Sequence, residues 1–131
     1  MNLEPSIAFY ASVIAGLAGG GLGLYAMINP AWASRLVRLV PMEGKIEGKS
    51  EFRATYGGLF FLAHAFVLWA LLSGQAGAAL AAAAMGAGWM GSGFGRLVSF
   101  AMDRTATPLN WLNVAIEGVL GLALAAPFLL G

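Results

Sequence analysis

Three charged residues set among apolar ones are the groups in this chain best placed to do chemistry: Arg53, Arg96 and Glu117. A guanidinium or carboxylate in hydrocarbon is costly to leave alone, so such groups meet a partner or face a cavity. Glu117 shares one helical face with Asn110 and Asn113, spaced i, i+3 and i+7. Arg53, Gly57, Phe60 and His64 share a face of a second segment, with Tyr56 one turn beyond Arg53. The spacing predicts one cluster in which Glu117 pairs with Arg96, Arg53 or both, with Tyr56, Asn110 and Asn113 beside it. Glu51 and Asp103 lie at its rim. Two arginines facing one glutamate leave surplus positive charge, which suits an anionic headgroup, a carboxylate or a phosphate. If Glu51 or Asp103 balances that charge, the same residues read as a network that only joins helices.

Other chemistry finds few groups to work with. His64 is the single histidine and the chain has no cysteine, so a metal site within one chain lacks ligands. His64 itself could carry protons or ligate a haem. Its plainer reading is a histidine that bonds a neighbouring helix. No Ser, Cys and His set for nucleophilic catalysis is present, and no catalytic residue or cofactor is expected.

The elements that must hold these groups follow from composition. Of 131 residues, 60% are hydrophobic and only 10% charged, with a mean hydropathy of +0.79. A soluble domain is roughly 45–50% apolar and about 25% charged, so this chain cannot cover itself with polar surface. A soluble enzyme, a disulfide-stapled module and a nucleic-acid binder are excluded in favour of an integral membrane protein. Continuous apolar runs also exclude an outer-membrane barrel, whose strands alternate.

The runs predict an all-α four-helix bundle forming a single domain over residues 1–131, with spans at about 6–28, 52–72, 78–100 and 109–130. Pro5 suits the first start and Asn29-Pro30 a stop. Ala31-Trp32-Ala33 mimics a signal cleavage site. However, the apolar core is long, and Glu4 stands where a signal peptide carries Lys or Arg, so the first span is expected to be retained. Between Pro30 and Pro41, Trp32, Leu36, Leu39 and Val40 fall on one helical face and Arg35 and Arg38 on another. That pattern suits a short interfacial helix.

Charge placement orients the spans. All 7 basic residues, Arg35, Arg38, Lys45, Lys49, Arg53, Arg96 and Arg104, fall in or beside the first and third loops. The positive-inside rule puts those loops in the cytoplasm and both termini outside. Such a one-sided split does not suit a dual-topology antiparallel dimer. Among the 19 glycines, Gly16 and Gly20 in the first span, Gly57 and Gly58 in the second, and Gly91 and Gly95 in the third suit close helix packing, within one chain or between copies.

Arg53-Ala54-Thr55-Tyr56-Gly57-Gly58, then Gly95-Arg96, then Glu117 late in the chain resembles a family of small bacterial four-span membrane proteins known as a domain of unknown function. A looser likeness to the DoxX-like proteins accompanies it. The resemblance implies four membrane helices and an inner-membrane location, and no reaction. The expected function is an accessory or ligand-binding membrane protein whose cytoplasm-proximal Arg/Glu pocket holds a lipid, a quinone or a partner subunit. A small proton- or anion-coupled transporter working through Glu117 and His64 is the alternative. A membrane enzyme ranks third, because the Glu-Arg-x-x-x-Asn pattern of the four-helix eicosanoid and glutathione group is absent around Arg53. A homo-oligomer or a place in a larger complex is compatible with so small a bundle.

Overall fold

A computed structural model describes residues 5–131, so Glu4 lies outside the described residues. The chain is all α. Its helices are α1 (Ile7–Ile28), α2 (Pro30–Val37), α3 (Gly48–Leu72), α4 (Ala78–Asp103) and α5 (Pro108–Leu130). Helices α1, α3 and α5 are long and apolar enough to cross a membrane. The sequence predicts four such spans. Helix α4 is the longest, at 26 residues, but Gly86, Gly88, Gly91, Gly93 and Gly95, with Ser92 and Arg96, dilute its apolar character.

Local chemistry accounts for the helix ends. Asn29 ends α1 and caps α2, its Oδ1 accepting from the Trp32 amide at 3.0 Å, while Pro30 occupies the first turn where no N–H is required. Thr107 and Pro108 repeat the device at α5, with Thr107 Oγ1 accepting from the Asn110 amide at 3.3 Å. At the other ends, Arg38 closes α2 and Arg104 closes α4, both left-handed with φ of 59° and 58°. Glycine is the usual residue in that conformation, because a side chain there is strained. Helix α2 is shorter than the amphipathic stretch predicted: Leu39 and Val40 follow the Arg38 cap and leave the helical face.

Helix α3 begins four residues before the predicted Phe52, and its stretch Phe52–Leu59 is wound as a π-helix. This wider winding (i→i+5 bonds) is uncommon and often marks a functional segment. It also breaks the uniform helical period assumed for Arg53, Gly57, Phe60 and His64.

The residues divide into two compact units, Gly16–Leu68 and a second formed by the chain up to Ala15 together with Trp69–Gly131. In the first, α1 and α3 run antiparallel along a glycine seam. A Cβ at Gly57 would lie 2.7 Å from Met27 Cα, and one at Gly23 would lie 2.5 Å from the Phe61 amide nitrogen. Only glycine permits backbones this close. Buried Ala26, Ala33 and Phe52 form a small core, with Trp32, Val37 and Tyr56 packed against it.

In the second unit, α4 and α5 form an antiparallel hairpin with its own glycine crossing. A Cβ at Gly121 would meet the Gly86 carbonyl oxygen at 2.8 Å and Met90 Cγ at 2.5 Å. Pro127 lies inside α5 and cannot donate to the helical ladder. One turn earlier, buried Ser12 of α1 donates its hydroxyl to the Leu124 carbonyl at 3.0 Å.

Candidate functional site

Glu117 is the buried acid of the hairpin, at 6% exposure. It sits nine residues into α5, roughly 14 Å from that helix's start at ~1.5 Å per residue. Its carboxylate accepts three hydrogen bonds from α4. Arg96 Nε donates to Oε1 at 2.9 Å and to Oε2 at 3.0 Å, and the Ser92 hydroxyl donates to Oε1 at 2.9 Å. Ser92 and Arg96 lie one helical turn apart, so both reach the same carboxylate. Gly93, on the facing side of α4, leaves room for it: a Cβ there would stand 3.6 Å from Glu117 Cβ and 3.6 Å from Oε2. The carboxylate is therefore neutralised, hydrogen-bonded and enclosed.

Arg96 differs from its partner. Its side chain is 32% exposed, against 8% for that of Glu117. It spends only Nε on the carboxylate, and neither Nη amino group has a partner among the described residues. The site is thus an almost uncharged pair with two amino groups left unpartnered among the described residues, roughly 10 Å in from the end of α4 by the same rise.

Beside the pair, the Arg104–Thr107 turn is tied down by short-range bonds. Asn110 Nδ2 donates to the Thr105 carbonyl at 2.8 Å, Ser99 donates to Asp103 Oδ2 at 2.8 Å, and Phe100 packs on Trp111 with ring centroids 4.8 Å apart. Asn110 therefore braces the turn. Asp103 is exposed and is bonded by Ser99. Asn113 is half-buried one turn before Glu117.

The other predicted site residues belong to the Gly16–Leu68 unit. Arg53 Nη1 donates to the carbonyl oxygen of Met27 and, at 3.4 Å, to that of Ile28. These are last-turn carbonyls of α1, which lack helical partners and carry the negative end of the helix dipole. Arg53 thus caps a helix within its own unit. Tyr56 stacks on Phe52 at 5.5 Å and belongs to the small core.

His64 is fully buried, stacked on Phe60 at 5.7 Å, and its Nδ1 donates to the Phe60 carbonyl at 2.7 Å. Its ring fills the space that a Cβ at Gly19 would need.

Of the glycines singled out for packing, Gly16 lies under Leu68, Gly20 under His64 and Gly57 under Met27. Gly58 approaches only the Arg53 carbonyl of its own helix, and Gly91 and Gly95 face open space. Ser92 was not among the predicted site residues. Its place one turn before Arg96 was the available signal.

The description "Domain of unknown function (DUF4345)" fits a family whose match to this chain covers residues 8–126. The chain belongs to that family. The matched region includes all of the Gly16–Leu68 unit, most of the other, and every residue of the Ser92–Arg96–Glu117 site. No curated protein and no solved structure matches the chain.

Proposed function

We propose that this DUF4345 protein is a four-span, inner-membrane protein of bacterial type that binds a ligand at the Arg96–Glu117 site. Helices α1, α3 and α5 supply three spans. Helix α4, about 39 Å long at ~1.5 Å per residue, supplies the fourth, because it exceeds a hydrocarbon core of roughly 30 Å. The one-sided placement of the basic residues supports cytoplasmic first and third loops, with both termini outside. A four-span layout of this kind is also what the looser likeness to DoxX-like proteins implies.

The observation that carries the binding reading is the division of labour at Arg96. Nε is committed to an enclosed carboxylate, which fixes the guanidinium plane, while neither Nη amino group has a partner among the described residues. Donors held in a plane are suited to a carboxylate, a phosphate oxygen or a quinone carbonyl, and a planar fork recognises such acceptors better than a flexible ammonium does. The acceptor belongs to a small amphiphile or to the side chain of a partner subunit, which makes the protein an accessory or carrier component.

Purification in mild detergent, followed by mass spectrometry of co-isolated small molecules and proteins, tests this reading. The wild type retains a bound species, and Arg96→Gln, which keeps a hydrogen bond to Glu117 but loses the fork, releases it. Equal retention by both proteins overturns the reading. In reconstituted vesicles, proton or anion flux that disappears in Glu117→Gln favours the transporter alternative, which works through Glu117 and His64.

A further inference from the structure

The Gly16–Leu68 unit carries a groove that the Arg96 site does not use. It has a volume of about 240 Å³ and is lined by Leu17, Gly21 and Leu24 of α1 and by Phe61, Ala65 and Leu68 of α3. None of these side chains is polar. Leu17, Gly21 and Leu24 are spaced i, i+4 and i+7, and the next position on that face is Ile28. Ile28 and Met27 are the residues whose carbonyls accept from Arg53. One helical face thus leads from the groove to a guanidinium. From Leu17 to Ile28 the rise is about 16 Å, roughly half the thickness of the hydrocarbon core, or the depth of one leaflet.

The charged end is the basic end. The residues from Ile28 to Arg53 include Arg35, Arg38, Lys45, Lys49 and Arg53, against Glu43, Glu47 and Glu51. Arg53 is exposed, and its Nε and Nη2 have no partner among the described residues.

We infer that this seam seats one anionic phospholipid, with an acyl chain in the Leu17–Leu68 groove and its phosphate on Arg53. The walls offer no donor to a quinone carbonyl along the groove. At about 240 Å³ the space is also smaller than one turn of a helix from a second copy, which is about 10 Å across and roughly 5.4 Å long. An alkyl chain fits both limits, and a phosphate matches the charge at the groove's end.

The test uses the whole protein reconstituted in vesicles of equal parts phosphatidylglycerol and phosphatidylcholine. It is then extracted into mild detergent and weighed by native mass spectrometry. The wild type retains one lipid and selects phosphatidylglycerol. A Cβ at Gly21 meets nothing within 4 Å, so Gly21→Leu fills the groove without straining the seam. This variant melts with the wild type and loses lipid retention by about tenfold, because the leucine takes the van der Waals contacts that the acyl chain would make in the groove. Arg53→Gln still reaches for the α1 carbonyls and lowers the preference for phosphatidylglycerol by about fivefold, the worth of one basic residue near an anionic surface. If that variant does not fold, raising the salt on the wild type reads the same term, because screening erodes the preference.

Undiminished retention in Gly21→Leu overturns the proposal. So does equal retention of the two lipids by the wild type. Repeating the assay in the Arg96→Gln background removes any amphiphile held by the hairpin, so the lipid lost on adding Gly21→Leu reads the seam alone, and failure of one site leaves the other standing.

Discussion

Arg96 and Glu117 form one ion pair but stand to lose different amounts when it is broken. Removing Arg96 leaves a carboxylate at 6% exposure with only Ser92 to solvate it, whereas removing Glu117 leaves a guanidinium that is already one-third exposed. A long arginine can carry its head to the interface, while the short glutamate cannot leave its enclosure. Arg96→Ala should therefore destabilise the hairpin by about 3 kcal/mol, the low end for breaking a buried pair, and Glu117→Ala by visibly less. Unfolding in mixed micelles measures both, and the double variant should recover part of the summed loss. Equal single losses that simply add would mean that the two side chains act independently. The spacing Asn110–Asn113–Glu117 was legible because it depends only on helical period. The partner of Arg53 was not. An arginine at the mouth of an apolar run has the same appearance whether it meets a carboxylate or the last carbonyls of a neighbouring helix.

Helix ends were the most readable elements, because the chemistry of Asn29-Pro30 and Thr107-Pro108 acts within a few residues. The π-helical stretch Phe52–Leu59 was the least readable, since only Gly57-Gly58 hints at it and wider winding has no periodic signature. Glycine faces fall between these cases. Small-xxx-small spacing shows where helices can approach, not which faces are occupied within one chain. The structure separates them, and alanine replacements should follow. Gly57→Ala and Gly86→Ala press a methyl against backbone atoms and should cost roughly 1–3 kcal/mol, as overpacking does. Gly91→Ala and Gly95→Ala meet open space and should be neutral, or stabilising by up to about 1 kcal/mol through helix propensity. Thermal unfolding of the four variants in one detergent checks the ordering. If Gly91→Ala instead shifts the species seen by light scattering, that open face is a contact between copies.

For the molecule as a whole, orientation rests on 7 basic residues, and the natural chain has no cysteine to confuse a labelling experiment. In intact cells an impermeant maleimide should modify Gln75→Cys, in the turn between α3 and α4. It should reach Glu43→Cys, between α2 and α3, only after permeabilisation. The reverse pattern would invert the topology. Composition and run length were sufficient to call an all-α membrane protein, since they sum over the chain and tolerate local error. The count of spans was harder to read, because the glycines of α4 lower its hydropathy.

The left-handed arginines set two of these demands against each other. At Arg38 and Arg104 the backbone adopts a conformation that suits glycine, yet the residue present bears a positive charge. Arg104→Gly should raise the unfolding free energy by up to about 1 kcal/mol, because strain is relieved. The same change removes one of the 7 basic residues, so under the proposed orientation a reporter fused to the C-terminus should show more inverted molecules. Higher stability together with more inverted molecules would mean that Arg104 sets folding against insertion, two demands separable by changing a single residue.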